Sequence, residues 1–203
     1  MLFRSFADYG EDALVVGHDG AASMLSRVVS IDGQLYSLDI ERDGSSFSYE
    51  PYAGEAGVLD VCSKFESKAK LAAAIVVSSD GNYSFSLAKA KSGLRVPAGD
   101  YKLLCGQLVL GDAKAQLRTG RSKPIHVTAG EQKITAWGGP VKAEFAFKRE
   151  GESVAFTPWD IWYYGYFGEE YSTFLPLGKS PEFAIKEKNT GDLIVLAHFP
   201  GNC

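Results

Sequence analysis

The fold is decided by the stretch Leu94-Arg95-Val96-Pro97-Ala98-Gly99-Asp100-Tyr101-Lys102-Leu103-Leu104-Cys105-Gly106-Gln107-Leu108-Val109-Leu110. Proline fixes its own φ angle and glycine accepts angles that other residues avoid, so residues 97–100 predict a turn. The turn enters a predicted strand over residues 101–110. A short run, a tight turn and a longer apolar run indicate β structure.

Short alternating runs between turns recur along the chain. Asp-Gly pairs supply the positive φ angles of tight hairpins. They occur at residues 19–20, 32–33, 43–44 and 80–81. In residues 34–41, apolar and polar side chains alternate, which is typical of a half-buried strand. Residues 25–50 therefore predict a meander of three strands.

One helix is predicted, over residues 64–74, because lysine and alanine are frequent there and helix breakers are few. Residues 75–79, which follow directly, favour a strand instead. Further short alternating runs predict strands at residues 83–87, 125–127, 134–138 and 141–148.

The breaker cluster Gly138-Gly139-Pro140 predicts a domain boundary. The sequence therefore predicts an all-β protein of two packed antiparallel β-sandwich domains, immunoglobulin-like or prealbumin-like. The N-terminal domain covers residues 1–139 and the smaller C-terminal domain covers residues 140–203. Because a unit of that smaller size buries only part of its surface, it is expected to pack against the larger one.

Two segments resemble a known family. They are Leu94-Arg95-Val96-Pro97-Ala98-Gly99-Asp100-Tyr101-Lys102-Leu103 and Pro124-Ile125-His126-Val127-Thr128-Ala129-Gly130-Glu131. Together they are similar to the carboxypeptidase-regulatory-like, or transthyretin-like, β-sandwich modules, over residues 94–138. The resemblance implies an accessory or binding domain of an exported bacterial protein, located in the periplasm or outside the cell.

Composition excludes several classes of protein. The chain has 203 residues, of which 45% are hydrophobic and 23% charged, which is enough apolar material to form a core. A net charge of -4 argues against a nucleic-acid partner, which would need a basic surface. The longest apolar run, residues 71–77, is far shorter than the roughly 20 residues of a membrane-spanning helix. The first residues do not form a signal peptide as given, so a cytoplasmic location also stays open.

Cofactor and metal sites have little sequence support. The chain contains no phosphate loop, dinucleotide fingerprint or nucleophile elbow, so no cofactor is predicted. Residues 39–50 nearly fit a calcium loop, but their flanks predict strands, and an Asp-Gly hairpin is the alternative. Cys62 and Cys105 lack the spacing of a zinc site, and the sequence leaves open whether they are bonded. Cys203, at the last residue, is expected to be exposed.

The most unusual stretch is residues 156–174, which is crowded with aromatic side chains. As one strand it would place Trp159, Ile161 and Tyr163 on one face and Trp162, Tyr164 and Tyr166 on the other. A sandwich strand has one core face, so the second face is expected to meet the N-terminal domain, another chain or a ligand. The candidate binding or interface residues are Trp159, Asp160, Trp162, Tyr164, Tyr166, Glu169 and Glu170.

Three functional hypotheses follow. The preferred one, which the family resemblance implies, is a non-enzymatic accessory or ligand-binding module of an exported bacterial protein. Its aromatic face is expected to pack against the N-terminal domain, and stacking of the rings on a carbohydrate, peptide or protein ligand is the alternative. The second hypothesis is a structural or assembly module that uses the aromatic face as a protein interface. The third is a hydrolase that uses the Glu169–Glu170 carboxylates as an acid–base pair.

Overall fold

The computed structural model describes residues 8–16, 21–155, 157–176 and 182–198. Within these ranges the chain forms strands and one short 3-10 helix, Pro158–Asp160, which confirms the all-β prediction. The strands are β1 (Ala13–Leu14), β2 (Ser23–Met24), β3 (Val28–Ile31), β4 (Gln34–Ile40), β5 (Phe47–Pro51), β6 (Ala56–Asp60), β7 (Phe65–Glu66), β8 (Lys70–Ser78), β9 (Ser84–Ser86), β10 (Leu94–Pro97), β11 (Gly99–Leu110), β12 (Ala113–Arg118), β13 (Ile125–Val127), β14 (Gln132–Ile134), β15 (Trp137–Gly138), β16 (Lys142–Phe145), β17 (Lys148–Glu150), β18 (Ser153–Ala155), β19 (Ile161–Tyr164), β20 (Glu170–Leu175), β21 (Glu182–Lys186) and β22 (Leu193–His198).

The largest sheet has eight strands in the order β16-β19-β20-β12-β11-β8-β9, with β13 pairing the start of β11. Strand β11 is its centre and coincides with the strand predicted at residues 101–110. Along β11 the side chains of Tyr101 and Leu103 are buried while Lys102 is exposed, as expected for a half-covered strand. The predicted meander over residues 25–50 is also confirmed, as the three-stranded sheet β3-β4-β5.

A third sheet has the order β10-β6-β14, and four further pairs of strands stand apart: β1-β2, β7-β15, β17-β18 and β21-β22. Two pairings depart from the antiparallel prediction, because β14 runs parallel to β6 and β15 runs parallel to β7. None of the helices in the described ranges is long and apolar enough to cross a membrane.

The predicted turn at residues 97–100 connects β10 of the three-stranded sheet to β11 of the eight-stranded sheet. Tyr101 is fully buried, and its hydroxyl donates a hydrogen bond to the Pro97 carbonyl oxygen at 2.8 Å. A buried tyrosine that bonds back to the backbone just upstream fixes the corner where a β chain changes sheet. Burial raises the pKa of Tyr101, so the phenol stays protonated and keeps this bond.

We expect Tyr101→Phe to lower the free energy of unfolding by about 1–2 kcal/mol, because the buried Pro97 carbonyl loses its partner while packing is retained. Urea unfolding monitored by tryptophan fluorescence measures the change. Tyr49→Phe, which removes a hydroxyl from a largely exposed ring, serves as the matched control and is expected to change little. Equal effects of the two substitutions would contradict the role of the corner.

One cluster of buried side chains joins the three main sheets. Leu59 comes from the β10-β6-β14 sheet, Val28 from the β3-β4-β5 sheet, and Tyr101 and Leu117 from the eight-stranded sheet. Trp137 of β15 belongs to the same cluster, and its indole N–H donates to the Val61 carbonyl oxygen. The sheets are therefore held together by one continuous core rather than by separate contacts.

The helix predicted at residues 64–74 is wrong: this segment forms β7 and the first half of β8. From Ala74 to Ser78 the even-numbered residues are buried and the odd-numbered ones half-buried, which is the period of a strand. Strand β8 pairs with β11 along most of its length and with β9 at residues 75–77. Pairing in the sheet outweighs the modest helix preference of lysine and alanine.

The eight-stranded sheet contains strands from both sides of the predicted boundary at residue 139. Strand β12 pairs with β20, with Arg118 opposite Glu170 and Leu117 opposite Tyr171. Both Leu117 and Tyr171 belong to the continuous core. The C-terminal strands therefore extend the N-terminal sheet by direct backbone pairing, and the division into two domains stays a prediction.

Candidate functional site

The aromatic strand is shorter in the structure than in the prediction. Only Ile161–Tyr164 form strand β19, which lies between β16 and β20. Trp159 is in the preceding 3-10 helix and 83% exposed, and Tyr166 is in the following turn and 70% exposed. These two rings lie at opposite ends of β19, so neither predicted row of three side chains is continuous.

The sequence Thr157-Pro158-Trp159-Asp160 explains the helical turn. The backbone N–H and the hydroxyl of Thr157 both donate to Asp160 Oδ2, at 3.1 and 2.8 Å. Proline suits the first position of a helix, where its missing N–H costs nothing. A threonine followed three residues later by a carboxylate is a helix-start signal that the sequence analysis missed. Asp160 Oδ2 is therefore engaged in the turn.

The face of β19 that carries Trp162 and Tyr164 is covered by charged side chains of the same chain. The Arg121 guanidinium lies 4.3 Å from the centre of the Tyr164 ring, and its Nη1 contacts Glu144 Oε2. Glu144 is opposite Trp162 in the register of β16 and β19. The flat, weakly hydrated guanidinium covers the Tyr164 ring by stacking, so half-buried Tyr164 needs no second domain on that face.

The other face of β19 forms the floor of an apolar groove of about 500 Å³. We call it the C-terminal groove, and its main lining residues are Phe145, Phe147, Val154, Tyr163, Phe183 and Ile185. The Tyr163 ring is fixed by an edge-to-face contact with Phe174, with ring centres 5.4 Å apart. Strand β21 supplies one wall, and the side chain of Val154, from β18, contributes to another.

A second depression of about 570 Å³ shares Phe147, Val154 and Phe183 with the C-terminal groove. Its further lining is more polar and includes Lys148, Asp160 and His198. The surface therefore consists of an apolar groove bordered by a depression with both polar and apolar side chains. An apolar centre with a polar rim is the usual arrangement of a protein-binding surface.

Glu169, a predicted ligand-binding residue, is fully buried. Its Oε1 accepts hydrogen bonds from the Gly138 N–H at 2.7 Å and the Tyr171 hydroxyl at 3.4 Å. Its Oε2 accepts from the Phe167 N–H at 3.1 Å. Burial raises the pKa of Glu169, and these hydrogen bonds oppose that rise in part. Glu169 therefore ties the Gly138 and Phe167 segments together and does not face solvent.

Glu170 lies in β20, half-buried, opposite Tyr164 and Arg118. Its neighbour Glu169 is enclosed, so the two carboxylates do not form an acid–base pair around a shared cleft. The hydrolase hypothesis gains no support from this pair.

The near-match to a calcium loop at residues 39–50 is an Asp-Gly hairpin joining β4 to β5. Asp43 Oδ1 accepts from the Ser45 N–H at 2.9 Å, and this contact, with that of the Ser45 hydroxyl, lowers the pKa of Asp43. Among the described residues no three histidine, cysteine or acidic side chains are grouped as metal ligands. His126 pairs instead with Asp100, at 2.8 Å, and His198 with Glu182, at 3.5 Å. His18 lies outside the described residues.

Cys62 and Cys105 are both free thiols, half-buried. Cys62 follows β6 and Cys105 lies in β11, and these strands belong to different sheets. The Cys62 thiol donates to the Leu87 carbonyl oxygen at 3.2 Å, and burial raises the pKa of both thiols. Cys203 lies outside the described residues.

Sequence reasoning missed strand β21, which supplies one wall of the C-terminal groove. In β21 the larger apolar side chains of Phe183 and Ile185 alternate with Glu182, Ala184 and Lys186, which is compatible with a strand, but nothing in the sequence shows what they face. Comparison of the chain with protein-family models, with curated proteins and with solved structures gave no match in any of the three.

Proposed function

We propose that this protein is a non-enzymatic binding module and that the C-terminal groove binds an apolar segment of another protein. The observation that carries the proposal is the distribution of exposed apolar side chains. Of the twenty large hydrophobic side chains that are exposed in the described chain, thirteen lie at or beyond residue 141. Concentrated exposed apolar surface beside a groove is typical of protein-interaction sites, since a protein in water otherwise hides it.

The lining of the groove favours a protein segment over a carbohydrate. A sugar needs polar side chains that bind its hydroxyl groups beside a flat ring. Glu169 is buried and Asp160 Oδ2 is engaged by Thr157, which reduces the number of acceptors available beside the exposed Trp159 ring. In the groove itself, charge is confined to Glu182 and Lys186.

The test uses a phage-displayed library of random peptides selected on the immobilised protein. We expect the selected peptides to be apolar and to bind Phe147→Asp at least about ten-fold more weakly, because a carboxylate in the groove must be desolvated. Leu110→Asp is the matched control, since Leu110 is similarly exposed, at 55% against 58% for Phe147, but lies outside the groove.

Three results would overturn the proposal. If the selected peptides bind Phe147→Asp as tightly as they bind the unchanged protein, their binding site lies outside the C-terminal groove. A dimer detected by sedimentation and lost in Phe147→Asp would assign the groove to a second copy of the chain, which is the assembly hypothesis. Quenching of Trp159 fluorescence by glycans without peptide binding would favour the carbohydrate hypothesis instead.

The finer fold prediction belongs to the same proposal: two packed antiparallel sandwiches divided near residue 139. The core that joins the three main sheets supports layered packing. The resemblance of residues 94–138 to carboxypeptidase-regulatory-like modules supports a sandwich and an exported location, and it is the only support for export.

A further inference from the structure

The outer edge of β5 is a second surface, separate from the C-terminal groove. Strand β5 ends the sheet order β3-β4-β5, and β4 is its one strand partner within the described part of the chain. All five of its residues are exposed. Natural edge strands are commonly protected by charged side chains, by proline or by a covering segment. In β5 such residues, Glu50 and Pro51, are confined to the C-terminal end, and residues 47–49 carry neither a charge nor proline.

The phase of the hairpin shows which backbone groups face outward. The Glu41 N–H donates to the Ser46 carbonyl oxygen, and the Tyr52 N–H donates to the Leu35 carbonyl oxygen, at 3.0 and 2.9 Å. Hydrogen-bonded pairs alternate along an antiparallel ladder, so residues 48 and 50 also bond to β4. Phe47 and Tyr49 therefore direct their N–H and carbonyl groups away from β4. Pro51, which has no N–H, ends the row of outward donors.

The two faces at this edge differ in chemistry. Phe47 and Tyr49 share one face, with their rings stacked 6.5 Å apart, and Tyr36 meets Tyr49 edge to face at 5.8 Å. Ser48 and Glu50 lie on the other face, beside a depression of about 650 Å³ whose lining includes Asp39, Arg27 and tyrosine side chains. The Arg27 guanidinium is stacked on Tyr9, 4.2 Å from the ring centre.

The charge around β5 is strongly acidic. Between residues 39 and 55 the one basic side chain is that of Arg42. Arg27, which is stacked on Tyr9, adds a second basic group in the depression beside Glu50. The acidic side chains are those of Asp39, Glu41, Asp43, Glu50 and Glu55. A second copy of the chain would bring two such acidic hairpins together, which is unfavourable. The charge therefore favours a basic partner.

We propose that the outer edge of β5 binds an extended segment of a partner protein in which apolar residues alternate with lysine or arginine. The segment adds a strand to the β3-β4-β5 sheet by pairing with the outward backbone groups of Phe47 and Tyr49. Because side chains alternate between the faces of a strand, its apolar residues stack on the two rings. Its basic residues then meet Glu50 and Asp39 on the opposite face.

The probe is a dye-labelled synthetic peptide of alternating valine and lysine, with a valine–glutamate peptide as its control, and binding is measured by fluorescence anisotropy. We expect the lysine peptide to bind at least about ten-fold more tightly than the glutamate peptide. We expect Glu50→Lys to reverse that preference. The groove variant Phe147→Asp is expected to bind normally, so failure of the proposed function leaves this test unaffected.

Two variants of one residue separate backbone pairing from ring contact. Tyr49→Ser removes the ring and keeps the outward N–H, whereas Tyr49→Pro removes both without breaking the bonds to β4. We expect the proline variant to bind more weakly than the serine variant. In the unchanged protein, the peptide should slow hydrogen exchange of the Tyr49 amide. Equal binding by both variants, unchanged exchange, or no preference for the lysine peptide would overturn the proposal.

Discussion

Glu169→Ala is expected to lower the free energy of unfolding by at least about 3 kcal/mol, measured by urea unfolding at neutral pH. The buried carboxylate accepts hydrogen bonds from two backbone N–H groups and one hydroxyl, those of Gly138, Phe167 and Tyr171. Alanine leaves all three donors without this acceptor, and water does not readily reach a site that is fully buried.

Glu169→Gln tests the charge of this group through its pH dependence. Burial is the main cause of the raised pKa of Glu169, so the folded state holds the proton more tightly than the unfolded state. Glu169 therefore contributes most to stability below the ordinary glutamate pKa. That contribution declines as the pH rises from there through the raised value. The unfolding free energy of the unchanged protein minus that of Glu169→Gln should fall as the pH rises through that window. Above the window the difference should become constant.

Glu170→Gln is the control for both measurements. It changes the adjacent carboxylate, which is only half-buried, and we expect an effect below about 0.5 kcal/mol with no matching pH dependence. If Glu169→Ala unfolds at the same urea concentration as Glu170→Gln, Glu169 is not the acceptor that joins the two segments. If the unfolding free energy of the unchanged protein minus that of Glu169→Gln rises with pH, the direction of the pKa shift is contradicted.

Turn residues and short runs of apolar or alternating side chains predicted strands correctly where the local signal and the tertiary environment agree. Strand β11, the short β13 and the β3-β4-β5 meander lie where the turns and alternation place them. The segment 64–74 failed because its alanine-rich composition is compatible with two structures. Its long-range partners, β15 for Phe65–Glu66 and β11 for residues 70–74, decide between them, and no local pattern contains that information.

The candidate site was harder to predict than the fold. The sequence located the aromatic stretch, but the prediction assigned Trp159 and Tyr166 to its strand. Strand β19 begins after Trp159 and ends before Tyr166. It treated Glu169 as a ligand-binding residue because Glu169 lies beside the aromatic stretch, whereas the Gly138 and Phe167 amides donate hydrogen bonds to its buried carboxylate. The groove forms between β16 and β21, which are far apart in sequence. It can therefore be recognised only in the folded structure, where the two strands lie close together.

Gly138→Ala is expected to lower the free energy of unfolding about as much as Glu169→Ala does. Gly138 has a φ of +98°, a conformation that costs an alanine about 1–2 kcal/mol. A Cβ there would overlap the Glu66 carbonyl oxygen and lie 2.9 Å from the Glu66 nitrogen. These are backbone atoms of β7, which cannot rotate away, so overpacking adds about 1–3 kcal/mol. Urea unfolding should show a total loss of about 2–5 kcal/mol.

Gly130→Ala separates the two causes. Gly130 also has a positive φ, of +74°, but a Cβ there would have open space around it, so only the conformational cost applies. Losses of equal size in the two variants would show that contact with Glu66 is unimportant. Gly138 also donates to Glu169, so Gly138→Ala and Glu169→Ala disrupt the same junction. Their combined effect should be smaller than the sum of the single effects, whereas strict additivity would show that the Gly138–Glu169 contact does not couple β15 to the segment before β20.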